Sequence, residues 1–451
     1  MKKRRVTARF FTLLLAMLVA GAMLFNEKSS AQAGVEKWVK RYNGPGNLWD
    51  YAHAIAVDSS GNVYVTGSSW ASSTASDYAT IKYSRTGKQL WVKRYNGPAN
   101  YYDTASAIAV DSSGNVYVTG GSIASRTTFD YVTIKYSRIG KELWVKRYNG
   151  PGDDDDGADA IAVDSSGNVY VTGDSRGSGT KSDYTTIKYS GTGNELWLKR
   201  YNGPGNGYDQ ARAIAVDSAG NVYVTGDSAG SGHSLDYATV KYSSAGKQLW
   251  VRRYRGGNAY AIAVDSSGNV YVTGSIWVSS TVTDYATIKY SSTGKQLWVR
   301  KYNGPANYND IASAIAVDSA GNVYVTGCSE ESNRLYDYAT IKYSGAGKEL
   351  WAKRYNGPGQ GFDDDRATAV AVDSSGNVYV TGSSTGYATD WDYATIKYSS
   401  TGEELWVKRY NGPGNGGDES NAMAVDNAGN VYVTGSSEGS GTDSDYATIK
   451  Y

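Results

Sequence analysis

Past its N-terminal segment the chain falls into short runs in which apolar and polar side chains alternate, divided by breaks rich in Ser, Gly and Asp. Four such runs, Ala54 to Asp58 (AIAVD), Asn62 to Thr66 (NVYVT), Tyr78 to Tyr83 (YATIKY) and Leu90 to Tyr95 (LWVKRY), follow one another, and then the set begins again. A period of two over runs this short predicts half-buried strands, and none of them reaches the length of a typical helix. The breaks Asp58-Ser59-Ser60-Gly61 and Ser84-Arg85-Thr86-Gly87 place Gly where a tight hairpin asks for a positive φ. Each set therefore reads as a four-stranded antiparallel meander.

The segment GNVYVTG begins at Gly61, Gly114, Gly167, Gly220, Gly268, Gly321, Gly376 and Gly429, at spacings of 53, 53, 53, 48, 53, 55 and 53. A repeat of this length is a unit that buries its faces by stacking on copies of itself. The strand count decides how the stack ends. Lys37 to Tyr42 (KWVKRY) is a lone strand of the fourth type and Tyr446 to Tyr451 is a strand of the third type, so each type occurs eight times. The expected fold is all-β, an eight-bladed β-propeller whose N-terminal strand completes the last blade and removes an unfinished edge. Ala on the first strand suits a crowded axis, and the Tyr and Trp of the third and fourth fill the widening wedge. Lys93 and Arg94, on the outermost strand, read as a solvated edge that resists pairing with another molecule.

Composition agrees with pleated surfaces: 40 Tyr and 12 Trp against 5 Phe and 4 Met. The N-terminus differs in kind. Lys2, Lys3, Arg4, Arg5 and Arg9 precede the apolar run Phe10 to Phe25, and Ala31-Gln32-Ala33 follows. This order predicts a secretory signal peptide over 1–33 and a propeller over 34–451. The apolar run falls short of the roughly 20 residues that span a bilayer, so no membrane span is expected after its removal, and the rest is expected to be periplasmic, on the cell surface or secreted. Residues 1–33 hold six of the 45 basic and one of the 44 acidic residues, which leaves a formal −4 on the remainder. That balance argues against a nucleic-acid partner, whose footprint is basic. A lone Cys328 forms no internal disulfide, and a monomer is expected.

The segments DSSGNVYVTG from Asp58, DYATIKYSSTGKQLW from Asp284 and VKRYNGPG from Val407 together resemble the bacterial β-propeller repeat family often labelled SBBP. The resemblance covers essentially all of 34–451, although that family name implies seven blades where this chain counts eight. TGKQLW is also similar to the tryptophan motif of eight-bladed quinoprotein propellers. The SBBP resemblance implies an exported or surface protein without an assigned reaction, a fold and a compartment but no mechanism.

With framework copies so alike, candidate function lies where they diverge. Nine residues separate the Gly that ends each second strand from the Asp that starts each third, and their content runs from SSWASSTAS after Gly67 to CSEESNRLY after Gly327. A second divergent position opens the innermost strand: His53, Ser106, Asp159, Arg212, Tyr260, Ser313, Thr368 and Asn421. These eight are expected to ring the channel mouth beneath the variable loops, the place where propellers commonly bind ligands. Trp49, Trp70, Trp277, Tyr387 and Trp391 lie in the variable regions and suit stacking on a sugar ring or a protein. Asp50, Asp103, Asp156, Asp209, Asp310, Asp365 and Asp418 recur in every blade except the fifth, where the inter-blade loop is five residues shorter. Repetition favours turn capping for them. The extra acids Asp153, Asp154, Asp363 and Asp364 are the better metal candidates, with Ca²⁺ the fitting ion. No cofactor is otherwise expected.

The leading functional reading is a non-catalytic exported binding or scaffold module whose variable-loop face takes a glycan or a protein. The alternative is an enzyme, quinoprotein-like or polysaccharide-cleaving. Only His53 and His233 are histidines, and no nucleophile, zinc or phosphate-loop motif is present. Acid–base work would fall to carboxylates such as Asp159, with Arg212 as charge partner.

Overall fold

The computed structural model describes residues 35–73, 75–124, 128–232, 234–332, 335–359, 364–387 and 389–451. The signal segment expected over 1–33 lies outside them, as do His233 and Asp363. Glu36–Tyr451 forms one body of thirty-two strands, β1–β32, grouped into eight four-stranded sheets. In the first blade β2 (Asp50–Val57), β3 (Val63–Ser72), β4 (Ala75–Tyr83) and β5 (Gln89–Tyr95) pair in chain order. The innermost strands touch one another around the ring, and β2 meets both β6 (Asp103–Val110) and β30 (Asp418–Val425). No helix among the described residues is long and apolar enough to cross a membrane.

The last sheet carries the closure. Its order is β1 (Trp38–Tyr42), β32 (Thr442–Lys450), β31 (Val431–Gly439) and β30. Trp38 faces Lys450 and Tyr42 faces Tyr446 in an unbroken antiparallel register, so the two chain ends share one blade as the strand count predicts.

Hairpin chemistry is the same throughout. Asp58 Oδ1 accepts from the amides of Ser60 and Asn62, and its Oδ2 accepts from Asn62 Nδ2 and Tyr64 Oη. Gly61, at φ 77°, takes the left-handed position that closes the turn. Packing between blades supplies the core. Tyr64 and Tyr78 of the first blade bury against Ala105, Val116, Val118 and Ile134 of the second, and Tyr432 and Tyr446 bury against the first in turn. Trp91 Nε1 donates to Arg138 O at 3.3 Å and Lys82 Nζ to the same oxygen at 2.9 Å, and Trp38, Trp144, Trp197, Trp250, Trp298 and Trp351 hook the next blade's turn in the same way.

Two features differ from the sequence reading. Arg94 is no free edge charge: its guanidinium pairs with Asp77 at 2.9 Å and donates to Ser69 O, Ser69 Oγ and the Tyr42 hydroxyl of the preceding blade. A long guanidinium donates in several directions at once, which lets it tie strands two and four and the neighbouring blade together. In the first, sixth and eighth blades the nine variable residues are also less loop than expected, whereas in the other five the described strands take in only four of the nine. β3 and β4 continue past Gly67, with Ser68 opposite Tyr78 and Trp70 opposite Ser76, so most of the segment is an extended hairpin with a short tip.

Candidate functional site

Each innermost strand carries one β-bulge, and its extra residue is the divergent one. In the first blade Ala52 pairs with Gly67 and Ala54 with Thr66, leaving His53 unpaired in the ladder. The same skip falls at Ser106, Asp159, Arg212, Tyr260, Ser313, Thr368 and Asn421. A bulge re-aims its side chain away from the regular alternation, and all eight are half-buried along the inner wall. Opposite the first bulge, a Cβ on Gly67 would lie 1.9 Å from Tyr51 O, which explains the glycine that ends GNVYVTG.

Three bulge side chains bond to a backbone carbonyl of the next blade. His53 Nδ1 is 2.8 Å from Ala105 O, Thr368 Oγ1 donates to Ser420 O at 2.9 Å, and Asn421 Nδ2 donates to Ala52 O at 3.0 Å. Burial holds the His53 imidazole below its usual range. In blades three and four the bulges carry charge instead, and the fifth carries Tyr260. Arg212 Nε donates to Asp227 Oδ2 at 2.7 Å, and its guanidinium lies 5.4 Å from the Tyr260 ring centre. Gln210 Nε2 donates to Asp159 Oδ2 at 3.4 Å. Burial first, and the charge of Asp174 second, push the Asp159 carboxyl up to about 7 against the pull of Gln210 and Arg212. Sequence reasoning missed Asp174 and Asp227. The signal was available: the residue after each GNVYVTG is an acid in the third and fourth blades alone, and Ser, Gly or Cys elsewhere.

The predicted aromatics divide. Trp49 and Trp70 stand edge to face at 5.6 Å, Trp70 meets Tyr102 at 5.5 Å, and Tyr102 meets Tyr101 at 4.3 Å. Trp70 N donates to Trp49 O at 3.1 Å and Ser76 bridges Tyr102, so this cluster spans the first two blades. Trp49 is 41 % exposed and Tyr101 39 %. Trp277, 51 % exposed, lies in the fifth blade; Tyr387, 68 % exposed, and half-buried Trp391 lie in the seventh. Tyr101 and Tyr102 went unread although Tyr102 precedes Asp103 as the predicted Trp49 precedes Asp50, a correspondence of position that was available in the sequence.

The recurrent acids serve the scaffold. Asp50 is fully buried and accepts from Gly44 N at 2.5 Å, and its counterparts do the same, as Asp209 does from Gly203 N at 2.6 Å. Burial pushes the Asp50 carboxyl up to about 6, with Ser69 and Gly44 opposing. Asp154 is ion-paired with Arg176 at 2.8 Å, Asp153 Oδ1 accepts from Asn149 Nδ2 at 2.9 Å, and Asp364 pairs with Arg366 at 2.9 Å. Among the described residues no three His, Cys, Asp or Glu side chains are grouped so as to hold a metal ion.

Comparison with known proteins places the repeat on record. A family model described as SBBP, β-propeller repeat, matches residues 37–73, 90–125, 143–179, 196–232, 256–280, 298–332, 351–387 and 405–441. The chain is similar to an uncharacterized WD repeat-containing protein, L264, of Acanthamoeba polyphaga mimivirus, at 26% identity over 260 residues, or 46% of this chain. It spans 18% of that relative's length. Among solved structures it is similar to the C-terminal WD40 domain of Sif2, with a TM-score of 0.52 at 8% identity over 93% of this chain and 99% of that one. At such identity the likeness shows the fold alone.

Proposed function

Since the chain belongs to the SBBP β-propeller repeat family, in which a uniform framework closes the ring, we propose that it is an exported, non-catalytic binding module that holds a glycan on its loop face. One observation carries this reading: Trp49, Trp70, Tyr102 and Tyr101 form an edge-to-face aromatic cluster on the face where the repeats diverge, with Trp49 and Tyr101 exposed. The flat, C–H-rich face of a pyranose stacks on such rings, and aromatic anchors bury much area at little entropic cost. Ser and Thr side chains around the cluster offer hydroxyl partners for the sugar. A glycan array probed with the wild type and with Trp49→Ala and Trp70→Ala tests it. Binding lost by roughly tenfold or more in both variants is expected; unchanged binding contradicts it. Pull-down with the same variants separates a protein ligand from a glycan.

A second reading has its own observation. A carboxyl held at about 7 beside Arg212 and Asp174 keeps its proton near neutral pH, which suits Asp159 to donate one to a glycosidic oxygen. Turnover on a polysaccharide panel that vanishes in Asp159→Asn would favour this enzyme, and absence of turnover in the wild type would retire it.

A further inference from the structure

The hairpin face, opposite the variable loops, carries grooves between successive blades, and their charge is graded. At the seam between the last blade and the first, a groove of about 570 Å³ is lined by Lys37, Trp38, Arg85, Asp426 and Lys450 with Ser59 and Ser60. The next groove, about 500 Å³, shares Ser59 and Ser60 and holds the cations Lys82 and Arg138 beside Leu90 and Trp91. A third, about 210 Å³, shares Ser112 and Ser113 with the second and has Lys135 as its cation. Cationic side chains therefore fall from three to two to one along adjoining grooves.

The seam is also unlike its copies in sequence. Lys37 stands where the other fourth strands carry an exposed Leu, such as Leu90 or Leu143, and Arg85 stands where most other blades have Ser or Gly. The one carboxylate in the groove is occupied: Asp426 Oδ1 accepts from the amides of Ala428 and Asn430, and Oδ2 from Asn430 Nδ2 and Tyr432 Oη. Lys37 Nζ and Lys450 Nζ donate to the neutral oxygens Asn430 Oδ1 and Arg85 O. Among the described residues no carboxylate pairs with Lys37, Arg85 or Lys450. Burial holds the Lys450 ammonium below its ordinary range, as it does the equivalent lysines of other blades, and here the charges of Lys37 and Arg85 add to it while Asp426 opposes.

Three cations against one carboxylate in a concave site, leading by shared serines into a second groove with Lys82 and Arg138 against Asp58, leave a net positive charge that fits a linear ligand bearing oxyanions at intervals. We infer that the seam groove and its neighbour bind an acidic polysaccharide through its sulfate or carboxylate groups. Oxyanions take charge-assisted bonds from Arg and Lys, and Trp91 and Leu90 offer an apolar wall to the sugar between them. The short, local run of cations favours a glycan with spaced charges over a nucleic acid, whose affinity rests on a broad basic surface. This site is independent of the aromatic cluster on the opposite face.

Titration calorimetry on the full chain tests it with a sulfated oligosaccharide, its desulfated form and a single-stranded DNA of equal charge. The sulfated probe is expected to bind, more weakly as salt rises, and the desulfated probe is not. The double variant Lys37→Leu and Arg85→Ser installs residues that sibling blades already carry, so it is expected to fold, with unchanged thermal unfolding as the check, and to bind roughly tenfold more weakly or worse. Trp49→Ala is expected to leave this binding intact. Equal binding by the double variant, equal binding of the desulfated probe, or DNA binding as tight as the sulfated probe overturns the inference.

Discussion

Arg41 Nη2 lies 2.9 Å from Asp445 Oδ2, an ion pair between the first strand of the ring and the last. Arg41 also donates to Ser437 Oγ, to Ser437 O at 2.7 Å and to the Tyr410 hydroxyl of the seventh blade at 3.1 Å. The pair is mostly buried, so removing one partner strands the other's charge away from water. Arg41→Met is expected to lower stability by about 3 kcal/mol, and Arg41→Met with Asp445→Asn is expected to recover part of the loss. Thermal unfolding of the single and double variants checks this, and simple additivity of the two changes would mean that the residues do not act as a pair.

The fifth blade lacks this clasp. Where six further blades repeat the arrangement, it has Gly257 in place of Asp50, Ile276 in place of Ser69 and Lys301 in place of Arg94, and its Asp284 has no ion pair among the described residues. Hydrogen exchange is expected to be faster in Gln296–Tyr302 than in the equivalent outer strands Glu349–Tyr355 and Glu404–Tyr410. Uniform protection across the outer strands would show that the clasp adds nothing to local stability.

Much of this was legible in the sequence and some was not, for reasons of register. Strand number, hairpin turns and the pairing of Lys37–Tyr42 with the last strand followed from counting repeats, because period and turn residues are local signals. The divergent residues His53 to Asn421 were legible as positions, but their cause, a bulge opposite Gly67, depends on which residue faces which across the ladder. Arg94 misled for the same reason: alternation puts it on an outer strand, while its partners Asp77 and Ser69 come from two other strands. A constant Ser, second among the nine variable residues in every blade but the fifth, was the trace of that network.

Stability is expected to peak in mildly acidic solution. Burial raises Asp50 and Asp310 to about 6, and Asp103, Asp156, Asp209 and Asp418 in the same direction. A carboxyl whose folded pKa lies above its unfolded value stabilises the protein at low pH and loses that contribution as pH climbs through the folded pKa. Asp58 and its counterparts are the reverse: burial lifts them, but bonds from Asn62, Tyr64 and Ser60 outweigh it and leave them below their usual range. Their contribution is lost as pH falls through that lowered value. Melting temperature should therefore rise from pH 8 to about pH 5 and fall steeply below about pH 4; a steady decline from pH 8 downward would contradict the assignment of the buried acids.

The Asp159 carboxyl, at about 7, is open to direct titration. Carbon-detected NMR should find its midpoint near that value, and Arg212→Gln should raise it, because a cation that favours the ionised form is removed. A midpoint in the ordinary carboxylate range would mean that water and counterions reach the channel mouth freely.

Hydrogen exchange with and without a neutral glycan drawn from the array, one that carries no sulfate or carboxylate for the seam groove, most directly tests whether the loop face is the recognition face. Slowed exchange is expected at residues 43–49, 68–73 and 96–102 around Trp49, Trp70 and Tyr102. Slowing confined to the hairpin turns at 58–61 and 84–87, with the loop face unchanged, would contradict the account.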